Sequence, residues 1–172
     1  MKKVTLPNRK ATRLKNFDYS AAGAYFITVC TYKKQCIFSE IVGEAHEPPF
    51  IKLSRYGQIA DRIINTLEKR FDIKIPVYTV MPNHIHMLIE IAEKTERATR
   101  ELPLHNPYSI SQIIGYLKMN VSKEMHECGF EDIIWQRSFH DHIVRSSKDY
   151  SEIYNYIKYN HHKWEKDCFY TY

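Results

Sequence analysis

Val80-Met81-Pro82-Asn83-His84-Ile85-His86-Met87-Leu88-Ile89-Glu90 is the stretch on which the fold turns. Ile85, Met87, Ile89 and Ile91 alternate with His84, His86, Leu88 and Glu90, the pattern of a β-strand. Successive side chains on a strand face opposite ways, so His84 and His86 project from one face. Pro82-Asn83 is a turn signal. Ile73 to Val80 reads as a preceding strand, so the turn closes a hairpin. Pro76 inside that strand marks an edge or a bulge. Neutral imidazole is the commonest protein ligand for metal ions. Two of them supply part of a site, and the remaining ligands must come from elsewhere in the chain.

Working outward, Tyr25-Phe26-Ile27-Thr28-Val29-Cys30-Thr31-Tyr32 is rich in β-branched and aromatic residues and reads as a buried strand. Cys36-Ile37-Phe38 and Phe50-Ile51-Lys52-Leu53 read as short strands around a loop holding Pro48-Pro49. Ser54 is placed as the N-cap of a helix running to about Arg70, with Ile59, Ile63, Ile64 and Leu67 on one face. Glu93 to Pro107 is charged, contains prolines and reads as a mobile loop over one end of the sheet. Ser109 opens a second helix to about Cys128, striped by Ile110, Ile113, Ile114, Leu117 and Val121 and closed by Gly129. Ser138 to Arg145 alternates as the last strand, and a helix from about Ser147 through His161 follows. The order predicts an α+β fold, a ferredoxin-like βαββαβ antiparallel sheet with an added C-terminal helix. Residues 1–172 read as a single domain, with a basic arm over 1–20 and a tail over 165–172.

The chain is 172 residues long and 44% hydrophobic, enough for a proper core. No apolar run approaches the roughly 20 residues of a membrane span, and the N-terminus lacks an apolar signal core. The expected location is cytoplasmic, associated with the nucleoid. The four cysteines lack Cys-x-x-Cys spacing and read as reduced thiols. The formal charge of +5 suits a polyanionic partner. Thirteen tyrosines among lysines and arginines suit single-stranded nucleic acid, where bases stack on rings and cations meet phosphates.

On the last helix Ile153, Tyr156, Ile157, Asn160 and Trp164 recur at three- and four-residue steps and share a face. If that face meets the His84 strand, a phenol and a carboxamide converge on two imidazoles. Asn160 is then a candidate third ligand through its amide oxygen. Oxygen and imidazole donors together suit Mg²⁺ or Mn²⁺. Tyr154 lies about 200° around the helix from Tyr156, so only one of the two faces the histidines. His140 and His142 form a second His-x-His on a strand and are a rival metal pair.

Met81-Pro82-Asn83-His84-Ile85-His86 followed by Met87-Leu88-Ile89 resembles the histidine motif of the single-tyrosine HUH transposases, in particular the REP-associated tyrosine transposases. Tyr156-Ile157-Lys158-Tyr159-Asn160 resembles their Tyr-Ile-x-x-Asn signature. Trp135-Gln136-Arg137-Ser138-Phe139-His140-Asp141-His142-Ile143-Val144-Arg145 is similar to their Trp-Gln-x-x-Phe-x-Asp-x-x-Ile-Arg block, and Tyr25-Phe26-Ile27-Thr28 to their first strand. The likeness spans about Tyr25 to Trp164. One departure stands out: the family usually has proline after the signature asparagine, and here His161 follows, so His161 or His162 competes with Asn160 for the ligand role. The resemblance implies cleavage and rejoining of single-stranded DNA near hairpins or palindromic repeats. Tyr156 is the implied nucleophile, a 5′-phosphotyrosine the intermediate, and a divalent metal on His84, His86 and Asn160 the cofactor. It implies a monomer or a homodimer. Lys118, Lys158 and Arg145 are the candidate DNA-binding cations, and Lys118 falls where the family often has a helical lysine. The rival reading is a domesticated hairpin-binding protein without catalysis. A barrel hydrolase using His-x-His needs about 250 residues and is set aside.

Overall fold

A computed structural model of the chain describes residues 17–43, 48–93 and 107–170. The element order is β1 Gly23–Cys30, β2 Ser39–Val42, β3 Phe50–Leu53, α1 Arg55–Phe71, β4 Lys74–Val80, β5 His84–Ile91, α2 Ile110–Glu127, β6 His140–Val144 and α3 Ser147–Tyr159. The main sheet runs β4-β5-β1-β6, antiparallel at every pairing. This is the strand order that two interleaved βαβ units produce, as expected for a ferredoxin-like α+β fold. The expected loop over Glu93–Pro107 and most of the basic arm lie outside the described residues.

Alternation along the central strands divides the molecule into three layers. Tyr25, Ile27 and Val29 of β1 and Ile85, Met87, Ile89 and Ile91 of β5 point to one face, where they pack with the apolar stripes of α1 and α2. The opposite face carries Leu88, Phe26, Val77 and Val144, and α3 covers it with Ile153 and Ile157. Burying an isoleucine of this kind stabilises by about 1.5–3 kcal/mol. His84 and His86 have the same parity as Leu88, so they lie under the layer that ends in α3.

Local chemistry sets the element ends. Ser54 caps α1 by accepting from the Tyr56 and Gly57 amides, and Ser109 forms a capping box with Gln112. Gly129 closes α2 at φ +85, a conformation in which a side chain is strained. Pro76 sits on the edge strand β4, and the pairing register shifts between Lys74 and Val77. Both properties anticipated for that proline are present.

Two boundaries differ from expectation. The first short strand is not Cys36-Ile37-Phe38 but Ser39–Val42, paired with Phe50–Leu53. Phe38 is fully buried instead; its amide donates to the Pro82 carbonyl and its carbonyl accepts from the Ser54 amide. Residues 17–20 also fold into the body: Tyr19 is buried among Phe17 and Tyr25, and its hydroxyl donates to Asp141.

Candidate metal and tyrosine site

The His84-Ile85-His86 segment opens β5, next to β1 in the middle of the sheet. Both imidazoles are buried, and their ring centroids lie 4.4 Å apart. Each is held from behind. The Asn83 amide nitrogen donates to the Phe169 and Lys34 carbonyls at 2.8 and 3.3 Å, which turns its oxygen toward His84 Nδ1, 2.9 Å away. A carboxamide oxygen only accepts, so His84 Nδ1 carries the proton and Nε2 keeps its lone pair. That Nε2 is buried without a hydrogen-bond partner among the described residues. Thr28, facing His86 across the β1–β5 pairing, engages Nδ1 of that ring at 2.8 Å. Outer-shell contacts of this kind orient metal-ligating histidines.

The other half of the site comes from the end of the chain. α3 gives way at Asn160 to a 3-10 helix, Asn160–Lys166, and the chain then turns back over the histidines. The Tyr156 hydroxyl lies 3.4 Å from His86 Nε2 and donates to Asp167 Oδ2 at 3.2 Å. The buried Asn160 donates its amide hydrogen to the same carboxylate oxygen at 2.8 Å. Its own Oδ1 is left buried and unpartnered among the described residues. Asp167 Oδ1 accepts from the Phe169 amide at 2.7 Å, so the carboxylate is fixed at both ends. Phe169 lays its ring 4.7 Å from that of His84.

His84, His86 and Asp167 each offer a ligand atom within 4.8 Å of the others, a group that can hold a metal ion. The unpartnered His84 Nε2 and Asn160 Oδ1 fit the same use, because buried polar atoms are ordinarily paired. Burial pushes the His84 imidazole down to about 4, against a partial upward pull from the Asp167 charge. Burial, and then its neighbour His84, holds His86 well below the ordinary imidazole range. Both rings are therefore neutral and able to ligate at neutral pH. The Tyr156 phenol is pushed up from its ordinary value, first by burial and then by the Asp167 charge and hydrogen bond. Phenolate is thus costly here unless a cation offsets the carboxylate.

No known family model matches the chain. A Haemophilus influenzae protein of uncharacterised role is 30% identical over 174 residues, covering 95% of this chain and 94% of its own length. The solved structure of a REP-associated tyrosine transposase bound to a REP hairpin superposes with a TM-score of 0.55 at 21% identity, covering 86% of this chain and 71% of that one. It shares the fold. A second Haemophilus influenzae protein, assigned by name to the REP-associated tyrosine transposases, is 24% identical over 154 residues, covering 83% of this chain and 72% of its own length. The chain is thus similar to a protein named for the REP-associated tyrosine transposases and has the fold of a solved one.

In this fold the residues singled out from sequence are spread unevenly. His84, His86, Tyr156 and Asn160 lie together in one place. Tyr154 lies elsewhere, stacked with Tyr150 against the Leu88 cluster. Lys118 uses its ammonium on the Gln136 and Ser138 carbonyls at 2.6 and 2.9 Å, and burial lowers it to about 8. Lys158 is exposed on α3 beside the Tyr159 ring. Arg145 is exposed past the end of β6 that pairs with Ala24, whereas His86 pairs with Thr28 and Thr28 with His140. That separation is five residues along β6, about 16 Å. His142 is engaged by Asp149 at 2.9 Å, and His140 faces Phe169.

Sequence reasoning missed Asp167, Asn83, Thr28 and Phe169 as parts of the site. The sequence reading puts Asp167 and Phe169 in a plain tail. They lie in a short 3-10 and turn segment with no periodicity to read. Thr28 had a usable signal: antiparallel pairing of the first and His84 strands puts a β1 hydroxyl opposite an imidazole.

Proposed function

We propose that this chain is a REP-associated tyrosine transposase that cleaves and rejoins single-stranded DNA beside hairpins or palindromic repeats, with Tyr156 as the nucleophile. The approach of the Tyr156 hydroxyl to 3.4 Å of His86 Nε2, at the edge of a metal-competent group, carries this reading. His84 and His86 would hold a divalent cation, Mg²⁺ or Mn²⁺, with Asn160 or Asp167 completing the set from oxygen. Such an ion, when bound, neutralises charge on the phosphate. The chain's own residues do the rest. The Tyr156 oxygen forms a bond to phosphorus as the bond from phosphorus to the 3′ oxygen breaks. Asp167 Oδ2 accepts the phenolic hydrogen bond and is placed to take the proton. The leaving oxygen takes a proton from water. The products are a 5′-phosphotyrosine and a free 3′-hydroxyl. Attack by a 3′-hydroxyl on the phosphotyrosine reverses the step, and no outside energy source is needed. A phenol of ordinary pKa is about 0.1% ionised at pH 7, a cost of roughly 4 kcal/mol, and burial here raises it further.

The solved relative carries a REP hairpin, which supports hairpin DNA as the partner. The Tyr156–His86 contact within one chain supports a site that one subunit can complete. On this reading Lys158 meets the backbone near the cleaved bond, and Arg145, at the far end of the sheet, meets the more distant strand. Lys118 contributes by holding the 136–138 backbone. The test is an adduct assay with labelled hairpin-bearing single strands and Mg²⁺ or Mn²⁺. Tyr156→Phe abolishes the adduct and Tyr154→Phe does not. Chelator, or His84→Ala, stops cleavage while hairpin binding persists. Salt-sensitive binding with no adduct under either metal would instead establish the non-catalytic reading.

A further inference from the structure

A second cavity adjoins the tyrosine pocket. The first, of about 680 Å³, is lined by Tyr156, Asn160 and Asp167 and also by Lys163 and Lys166. The second, of about 540 Å³, is lined by the same two lysines and by His161, His162, Trp164 and Tyr170. Lys163 and Lys166 therefore stand between the two. Trp164 is a second shared element: its ring lies 5.9 Å from that of His84 and 5.3 Å from that of Tyr170. His161 Nδ1 is buried without a hydrogen-bond partner among the described residues, with the His162 ring 4.4 Å from its own. Glu165 is the one carboxylate in this lining, set against two lysines and two histidines, so the wall favours an anion. Ile41 and Pro49 of the β2–β3 hairpin add apolar lining.

Two aromatic rings and a cationic ridge are what one nucleotide of a single strand requires, and His161 Nδ1 adds an unpartnered polar atom. The size is that of a small-molecule site. We propose that this second cavity binds a nucleotide flanking the bond that Tyr156 cleaves. Its base packs against the Trp164–Tyr170 pair, its phosphate rests on Lys163 and Lys166, and His161 and His162 meet the base edge. The lysines then make one path for a strand running from the tyrosine pocket into the second cavity. The inference rests on the Tyr156 reading, which supplies the bond being flanked.

The test uses the full chain with Tyr156→Phe, so that binding is measured without cleavage. Hairpin oligonucleotides carry either a short unpaired flank or one several nucleotides longer, on the 5′ or the 3′ side. Lengthening one of the two flanks tightens binding about tenfold, the worth of one stacked base. That gain disappears in the His162→Ala/Tyr170→Ala variant, while its affinity for the short-flank hairpin is unchanged. In a Trp135→Phe background Trp164 is the remaining tryptophan, and its fluorescence is quenched by the long flank only. If neither flank adds affinity, or the gain and the quenching survive the double variant, the cavity is not a nucleotide site. Loss of this effect with the adduct at Tyr156 intact overturns the cavity alone. Absence of any adduct in the unsubstituted chain overturns the Tyr156 reading, and the binding series still decides the cavity.

Discussion

Asn83 shows how one side chain sets the chemistry of another. Its amide hydrogens go to the Lys34 and Phe169 carbonyls, so its oxygen must face His84 and the imidazole lone pair is turned inward. Asn83→Ala releases that ring, and Mn²⁺ affinity measured by calorimetry falls 10–100-fold. An unchanged affinity would mean that the ring is held by packing alone. His84 also makes an acid-stability prediction. Its folded pKa of about 4 lies below the ordinary 6.5, so between those values the unfolded chain binds more protons. The stability is present in full above about pH 6.5 and is lost as pH falls toward 4. Denaturant melts at pH 7 and pH 4.5 measure the slope, and His84→Gln reduces it, leaving the share of the buried His86. Equal slopes in both proteins would refute the assignment. Protons and metal compete for the same nitrogen, so metal release follows the same window. At this scale the histidines, Tyr156 and Asn160 were legible, because strand and helix periodicities put each on a definite face. Asp167 was not, because its place depends on a turn that carries no periodic signal.

Among the elements, α1 depends on a close approach that only glycine permits. A Cβ built on Gly57 would lie 2.0 Å from the Phe38 carbonyl oxygen, which is backbone and cannot swing away. Gly57→Ala, although it favours helix intrinsically, forces α1 off the Phe38 segment and destabilises by about 1–3 kcal/mol. Chemical denaturation checks this, and a neutral or stabilising result would show that the segment yields. The same contact explains the misplaced first short strand. Cys36-Ile37-Phe38 has strand composition, but Phe38 spends its backbone groups on the Pro82 carbonyl and the Ser54 amide, and pairing begins one residue later. The helices were legible almost to the residue because Ser54 and Ser109 are strong caps. The C-terminal end of α3 was less so: the chain tightens to 3-10 at Asn160, and that change lets the tail return to the site.

For the whole molecule the sheet works as a two-sided plate. One face, under α1 and α2, holds the main core; the other, under α3, holds a smaller apolar cluster and the site beyond it. The topology was legible because element order and length leave few alternatives. The closure of the site was not, because it rests on contacts such as Lys34 to the Cys168 carbonyl, 134 residues apart in sequence. The formal charge of +5 predicts hairpin binding whose logarithm falls linearly with the logarithm of salt. Lys158→Gln lowers that slope by about one if the side chain meets a phosphate, and leaves it unchanged if it does not. On the proposed mechanism the phenolic oxygen of Tyr156 is the atom that takes the DNA. Proteolysis of the adduct formed with Mn²⁺, followed by mass spectrometry, locates it directly. The expected product is a phospho-oligonucleotide on the peptide carrying Tyr156 and on Tyr156 within it. An adduct on Tyr154, Tyr159 or another residue, or cleavage with no covalent adduct, would contradict it.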